Sequence, residues 1–211
     1  MIRRAPDFWR YRGNYHELKG RDGGLAFEAI EALSTSLRYQ SKEDLLRRRR
    51  INEHLLEKVK DEWEAAKILD ELGQISYLLG DYDRASNYLK QELKISEEID
   101  YKKGVAKSLH NLGALAQDAG DLIEARRLYG ESLKILQEMG YKAGVAITLA
   151  QFALLEEKEG NLSQALDLIR EAEKLFLELG SPSAAQARRV RERLEEKIAS
   201  KKCRKEPKYL P

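Results

Sequence analysis

The sequence predicts an all-α fold in which antiparallel helical hairpins stack into a solenoid. One observation is a repeat of 40 residues, because glycines and alanines recur at that spacing: Gly80, Gly120 and Gly160, and Ala85, Ala125 and Ala165. Another is a composition rich in Ala, Leu, Glu, Lys and Arg, with 4 prolines among 211 residues, which favours helices. A fixed period of this length is typical of units that bury their apolar faces only by stacking on one another.

The unit at 104–143 shows the order of elements within one period. Small and apolar residues recur in its first half at steps of three and four, as on one face of a helix. Gly120 is expected to end that helix, because glycine adopts the left-handed conformation that other residues resist. Asp121 then provides an N-cap for a second helix, which ends near Gly140.

Small residues at fixed spacing indicate where the two helices of a hairpin meet. Gly113 and Ala125 are 12 residues apart, on the facing sides of the predicted hairpin. A larger side chain at either position would hold the helices apart. The bulky residue four positions after the alanine, Tyr129, is expected to fill the space beyond. Equivalent residues in the other units are Gly73, Ala85 and Leu89, and Ala153, Ala165 and Ile169.

These residues resemble the tetratricopeptide repeat, whose pattern of a large residue, Leu, Gly, Ala and an aromatic residue matches Leu109, Leu112, Gly113, Ala125 and Tyr129. The family period is about 34 residues, so each unit here is longer, as in Pins-type polarity adaptors and the repeat arms of bacterial and archaeal signalling ATPases. HEAT and armadillo repeats have a similar length, but the Gly-to-Ala spacing and the Gly-Asp turn favour the tetratricopeptide pattern. The resemblance implies a right-handed superhelical solenoid.

The 40-residue period assigns each part of the chain to a repeat or to a terminal segment. It predicts repeats at 64–103, 104–143 and 144–183, a degenerate repeat at 24–63, a half-repeat or N-terminal helix at 1–23, a capping helix at 184–200 and a basic flexible tail at 201–211. In the degenerate repeat, Ser41 and Asp44 can form a Ser-x-x-acid cap at the start of the second helix.

Charge and cysteine content restrict the class of protein. Lys and Arg number 38 against 36 Asp and Glu, yet residues 64–183 are acidic and residues 184–211 are basic. No apolar run approaches the ~20 residues of a transmembrane helix. The single cysteine, Cys203, cannot form an internal disulfide. We therefore expect a soluble cytoplasmic protein that is not embedded in a membrane.

Motifs of enzyme chemistry are missing from the sequence. It has no glycine-rich phosphate loop, no Gly-x-Ser-x-Gly turn and no His-Glu-x-x-His pair. Its histidines (His16, His54 and His110) are isolated from other metal ligands. The sequence thus predicts a protein that is not an enzyme and that has no metal or cofactor. Basic residues near both ends offer a nucleic-acid surface, but no base-reading module accompanies them, so nucleic acid is not the expected partner.

A candidate binding groove follows from the resemblance, because the first helix of each tetratricopeptide hairpin lines the concave side of the array. By register, the residues that the resemblance places there are Lys67, Asp70, Glu71, Gln74, Tyr77, Lys107, His110, Asn111, Gln117, Ile147, Gln151 and Leu154. Some family members grip a partner's terminal carboxylate with Lys, Arg and Asn residues in this groove. Here Lys107 and Asn111 match that arrangement. In the other two units, the positions equivalent to Asn111 are occupied by Glu71 and Gln151.

The leading hypothesis is a non-enzymatic scaffold whose groove binds a peptide or helix of another protein. A second hypothesis is a sensor or assembly arm of a signalling ATPase or transcription regulator. A third is a self-assembling module, in which a half-repeat at each end of the array stacks on another copy to give a homo-oligomer.

Overall fold

A computed structural model describes residues 41–205, with side chains described as far as Lys201. Helices in this range are α1 (Lys42–Leu56), α2 (Glu62–Leu78), α3 (Tyr82–Glu98), α4 (Lys102–Ala119), α5 (Leu122–Glu138), α6 (Lys142–Glu159), α7 (Leu162–Glu178) and α8 (Ser183–Lys205). No strand occurs within these residues. The predictions for 1–23, for the first helix of the unit at 24–63 and for 206–211 concern residues outside the described range.

The chain divides into two compact units, Met1–Leu45 and Leu46–Pro211. In the first, the described residues begin at Ser41, whose Oγ accepts a hydrogen bond from the Asp44 N–H at 3.1 Å. This bond is the N-terminal cap of α1 that the Ser-x-x-acid pattern predicts.

The second unit contains three consecutive hairpins. Helix α2 packs on α3, α4 on α5, and α6 on α7, while neighbouring hairpins meet through α3 with α4 and α5 with α6. The first helices begin at Glu62, Lys102 and Lys142, and the second helices at Tyr82, Leu122 and Leu162, so the structure keeps the 40-residue period. The predicted fold class, an all-α solenoid of antiparallel hairpins, is confirmed.

The turn within a hairpin depends on a left-handed glycine and a capping side chain. Gly120 has a φ of +85° and ends α4, after which Asp121 Oδ1 accepts a hydrogen bond from the Glu124 N–H at 3.1 Å. The third hairpin differs, because the Asn161 side chain makes no cap bond and its Nδ2 instead donates to Glu156 Oε2 at 2.8 Å. The same position in the repeat therefore satisfies different polar groups in different units.

The small residues allow the two helices of a hairpin to approach closely, as their spacing predicts. A Cβ on Gly73 would lie 2.8 Å from Leu89, and one on Gly113 would lie 2.9 Å from the Tyr129 ring. The small residues thus leave room for the bulky residue of the second helix to lie directly against the first helix. Ala125, at the predicted alanine position, has no exposed surface.

Helix α8 closes the C-terminal end of the described array by packing on α7. Its Ala187 and Leu194 are buried and Val190 is half-buried, so these residues form the apolar face with which α8 joins the core. The helix continues to Lys205, past residue 200 where the sequence predicted a flexible tail to begin. The physical reason is that neither glycine nor proline interrupts 201–205, the first helix-breaking residue being Pro207.

Candidate functional site

The first helices of the hairpins lie closer to one another than the second helices do. Backbone contacts join α2 to α4 and α4 to α6, whereas α3, α5 and α7 have no comparable contacts among themselves. An array whose helices converge on one side curves toward that side. We call the surface formed by α2, α4 and α6 on this side the first-helix groove.

At the α2 end, the predicted groove residues are already engaged with neighbouring side chains. Lys67 Nζ lies 2.8 Å from the centroid of the Trp63 ring, and Glu71 forms an ion pair with Arg48 of α1. Tyr77 donates its hydroxyl hydrogen to Asp118 Oδ2 of α4 at 2.6 Å. These contacts tie α2 to α1 and to α4.

The carboxylate of Asp70 is the centre of the polar part of the groove. Lys107 Nζ lies 2.6 Å from its Oδ2, and Gln74 Nε2 donates to its Oδ1 at 2.9 Å. Asn111 Nδ2 is 3.5 Å from the same Oδ1, at the outer limit of a hydrogen bond. The predicted groove residues Asp70, Gln74, Lys107 and Asn111 are therefore brought together, but into contact with one another.

A second carboxylate, that of Glu92 on α3, lies beneath this cluster and is 2% exposed. Ser108 Oγ donates to its Oε2 at 2.6 Å. Burial, reinforced by the negative charge of Asp70, raises the pKa of Glu92 well above its usual value. The neutral form of Glu92 is therefore favoured, and Asp70 supplies the negative charge opposite Lys107.

Sequence reasoning missed Glu92 and Ser108, although the repeat register held a signal for the first. Forty residues after Glu92 stands Ser132, and forty after that stands Ala172, and both are fully buried. A position occupied elsewhere by small buried residues indicates a buried environment. The groove predictions started from the first helices and so omitted this second-helix residue.

His110 lies at the joint between α4 and α6. Its Nδ1 is 3.1 Å from Thr148 Oγ1, and its ring centroid is 5.5 Å from that of Tyr129. Burial, helped by the positive charge of Lys107, lowers the pKa of His110 to about 4. The imidazole is therefore neutral at physiological pH and joins two repeats.

Gln117 also joins repeats. Its Oε1 accepts a hydrogen bond from the Tyr129 hydroxyl at 3.1 Å, and its backbone carbonyl accepts one from Lys158 Nζ at 2.9 Å. Lys158 belongs to the next repeat, so both this bond and the His110–Thr148 contact link α4 to α6.

Helix α6 presents a more apolar face than α2 and α4. Ile147 and Ala150 are half-buried and pack against the main core cluster, while Gln151 and Leu154 are half-buried at the next positions along the helix. Apolar side chains that keep part of their surface exposed in a concave region are typical of ligand-binding surfaces.

Neither a metal site nor a membrane-spanning helix is found between residues 41 and 205. No three His, Cys, Asp or Glu side chains of this range are grouped as metal ligands. Of the helices described, none has both the length and the apolar character needed to cross a bilayer.

Comparisons with known proteins agree with the repeat and the fold. A family model described as tetratricopeptide repeat matches residues 64–138 and 104–178, which together exceed half of the chain. The fold is similar to that of the apo form of RapI, with a TM-score of 0.66 and 19% identity over 72% of this chain and 56% of RapI. The chain thus spans little more than half the length of RapI.

Two further structures share the fold. BtubC (BKLC) from P. vanneervenii aligns over 95% of this chain and 88% of its own, with 18% identity and a TM-score of 0.59. The nearly identical TPR-like repeats of a putative kinesin light chain from Podosopora anserina align over 82% and 89%, with 15% identity and a TM-score of 0.62. No curated protein matches the sequence.

Proposed function

The chain belongs to the tetratricopeptide repeat family, and we propose that it is a protein-interaction scaffold whose first-helix groove binds a peptide or helix of a partner protein. Arrays of this family commonly act as interaction scaffolds, because stacked repeats present an extended surface. Neither an enzymatic activity nor a cofactor is needed for that role.

The observation that carries this proposal is the change in character along the groove. On α2 and α4 the polar side chains are largely satisfied within the protein, through Asp70, Lys107 and Tyr77. On α6 the groove positions are Ile147, Ala150, Gln151 and Leu154, which keep part of their apolar surface exposed. Apolar surface gains more free energy on burial than hydrogen bonds that merely exchange partners. The expected anchor of a partner segment is therefore an apolar side chain on α6.

The test compares one substitution in the groove with the same substitution outside it. Leu154→Lys places a charge on the α6 face, whereas Leu177→Lys alters a leucine of α7 that is 53% exposed. Proteins retained by the immobilised chain from a native extract should be lost with Leu154→Lys and kept with Leu177→Lys. Equal retention by both variants, with circular dichroism showing both to be folded, would rule out the groove.

The double substitution Lys107→Ala with Asn111→Ala is a less selective test of the same proposal. Both side chains contact Asp70, so their removal leaves a buried carboxylate without its ion pair. Any loss of partner binding would then include a change in stability. The sensor-arm and self-assembly hypotheses, and the cytoplasmic location, stay predictions of the sequence.

A further inference from the structure

Three side-chain donors from two repeats converge on the single carboxylate of Asp70. Lys107 and Asn111 are one helical turn apart on α4, and Gln74 lies one turn after Asp70 on α2. Their nitrogens lie 2.6, 3.5 and 2.9 Å from the Asp70 oxygens, respectively. An ammonium group and two amides around one carboxylate form a carboxylate-binding site, and here the chain itself supplies the carboxylate.

The site borders the groove rather than the core. The Asp70 side chain is 13% exposed and that of Lys107 is 22% exposed. A carboxylate from solvent would therefore reach Lys107 by taking the place of Asp70. The other ionisable groups nearby are Glu92, Tyr101, Lys103 and His110. Burial and the neighbouring positive charge of Lys107 lower the pKa of Lys103.

We propose that Asp70 is a specificity-determining residue, whose carboxylate fills from within the chain a site formed by Lys107, Asn111 and Gln74 and thereby excludes carboxylate-bearing ligands from this part of the groove. An intramolecular group is present at an effective concentration of about millimolar or higher. A ligand carboxylate must displace Asp70, and the displaced group would stay partly buried without a counter-ion. The exchange brings no net gain in ion pairing.

This inference deepens the proposed function and rests on it for one consequence. A partner segment in the first-helix groove presents no carboxylate to α4 and is held by apolar contacts on α6. Selection against one class of ligand is a common means of specificity when the attractive contacts are few.

Removing the internal carboxylate should open the site. Asp70→Ala removes the carboxylate that pairs with Lys107. Glu92 is the next carboxylate in the cluster and could become the new partner of Lys107. The informative variant is therefore Asp70→Ala with Glu92→Gln, which removes both carboxyl groups. Asp70→Ser with Glu92→Gln is a second version, in which a hydroxyl keeps a polar group at the position should the alanine variant fold poorly.

The matched control is Glu71→Ala. Glu71 is the adjacent carboxylate on α2, but it pairs with Arg48 and not with Lys107. The probe is acetate, exchanged for chloride at constant ionic strength, and the readout is the shift of the Asn111 side-chain amide in a nitrogen–proton NMR spectrum. Acetate reports on the site whether or not a protein partner has been found.

With either Asp70 double variant, the Asn111 signal should titrate saturably, with an apparent Kd for acetate at least about tenfold lower than in the parent protein. Adding Lys107→Ala to the double variant should abolish saturation. The parent protein and Glu71→Ala should show only a weak, linear shift.

Two results would overturn the proposal. One is saturable acetate binding by the parent protein with the affinity of the double variants, because Asp70 would then exclude nothing. The other is a folded double variant, Ala or Ser, that binds acetate no better than the parent. Neither result depends on partner capture, so a failure here is distinguishable from a failure of Leu154→Lys to affect partner binding.

Discussion

Gly113 on α4 lies directly against the ring of Tyr129 on α5, so closely that a Cβ on the glycine would stand 2.9 Å from Tyr129 Cδ1. The ring is fully buried and also contacts the rings of His110 and Phe152. The Tyr129 ring therefore cannot move aside for a larger residue at position 113. This contact fixes the distance between the two helices of the central hairpin.

Replacing this glycine with alanine should destabilise the array despite the higher helix propensity of alanine. Overpacking a rigid core costs ~1–3 kcal/mol, more than the ~1 kcal/mol that alanine gains over glycine within a helix. The urea midpoint of Gly113→Ala should therefore fall. Gly130 of α5 has open space around its Cβ position, so Gly130→Ala should raise the midpoint. A rise for both variants would show that the hairpin can spread.

Glu92→Gln should change how stability depends on pH. The pKa of Glu92 is raised above its ordinary value of 4.5 by burial and by Asp70. In the unfolded chain Glu92 loses its proton first, so the parent protein loses stability as pH rises from about 4.5 toward the folded-state pKa. Lys107, which favours the charged form, partly opposes this loss.

The uncharged glutamine does not titrate, so the variant should be the more stable protein above that window. The measurement is the thermal midpoint of both proteins between pH 4.5 and 8. A constant difference between the two curves would contradict the prediction.

His110 should remain neutral far below the pH at which a free histidine gains its proton. Its pKa is lowered from 6.5 to about 4, first by burial and then by Lys107. The unfolded chain therefore binds more protons between these pH values, and His110 makes the protein less stable as pH falls. NMR titration of the imidazole should give a midpoint near pH 4. His110→Gln should flatten the acid side of the stability curve, and a midpoint near 6.5 would show that burial does not lower the pKa of His110.

Asn161→Asp should destabilise the third hairpin, although it restores the Gly-Asp turn of the other two. Asn161 Nδ2 donates to Glu156 Oε2 at 2.8 Å, and Glu156 is fully buried and paired with Arg126. An aspartate would replace that donor with a second negative charge, at a cost of ~1–3 kcal/mol. The new cap is expected to return only ~1 kcal/mol.

Thermal denaturation measures the net effect, with Asp121→Asn as the control. Asp121 accepts a cap hydrogen bond from the Glu124 N–H, and an Asn oxygen can do the same, so that change should be small. An Asn161→Asp variant as stable as the parent would mean that the hydrogen bond from the Asn161 amide to Glu156 does not stabilise the hairpin.

Much of the fold was predictable because it depends on short-range chemistry. Gly120 and Asp121 are adjacent in the sequence, and the left-handed glycine and the capping carboxylate need no other repeat to act. The Gly113–Tyr129 contact was nearly as predictable from the sequence, since both residues belong to one hairpin. The extension of α8 to Lys205 was not predicted, although no helix-breaking residue stands between residue 201 and Pro207.

The candidate site was less predictable because its contacts cross from one repeat to the next. Register placed Lys107 and Asn111 in the groove, but nothing in the period indicated that both would turn to Asp70. Glu92 was not predicted, because a glutamate is ordinarily expected on the surface. Its burial depends on the residues around it and not on its own residue type.

By itself, the sequence determined the repeat length, the helical hairpin and the residues that end and cap the helices, since these depend on residues close together in the chain. The tertiary structure decided which polar side chains meet. Lys107 contacts Asp70 at a separation of 37 residues, whereas Asn111 reaches it at 41. Neither separation equals the 40-residue period, because Asp70 contacts residues on either side of its register equivalent, His110. The packing of α2 against α4 thus gives Lys107 its carboxylate partner from within the chain.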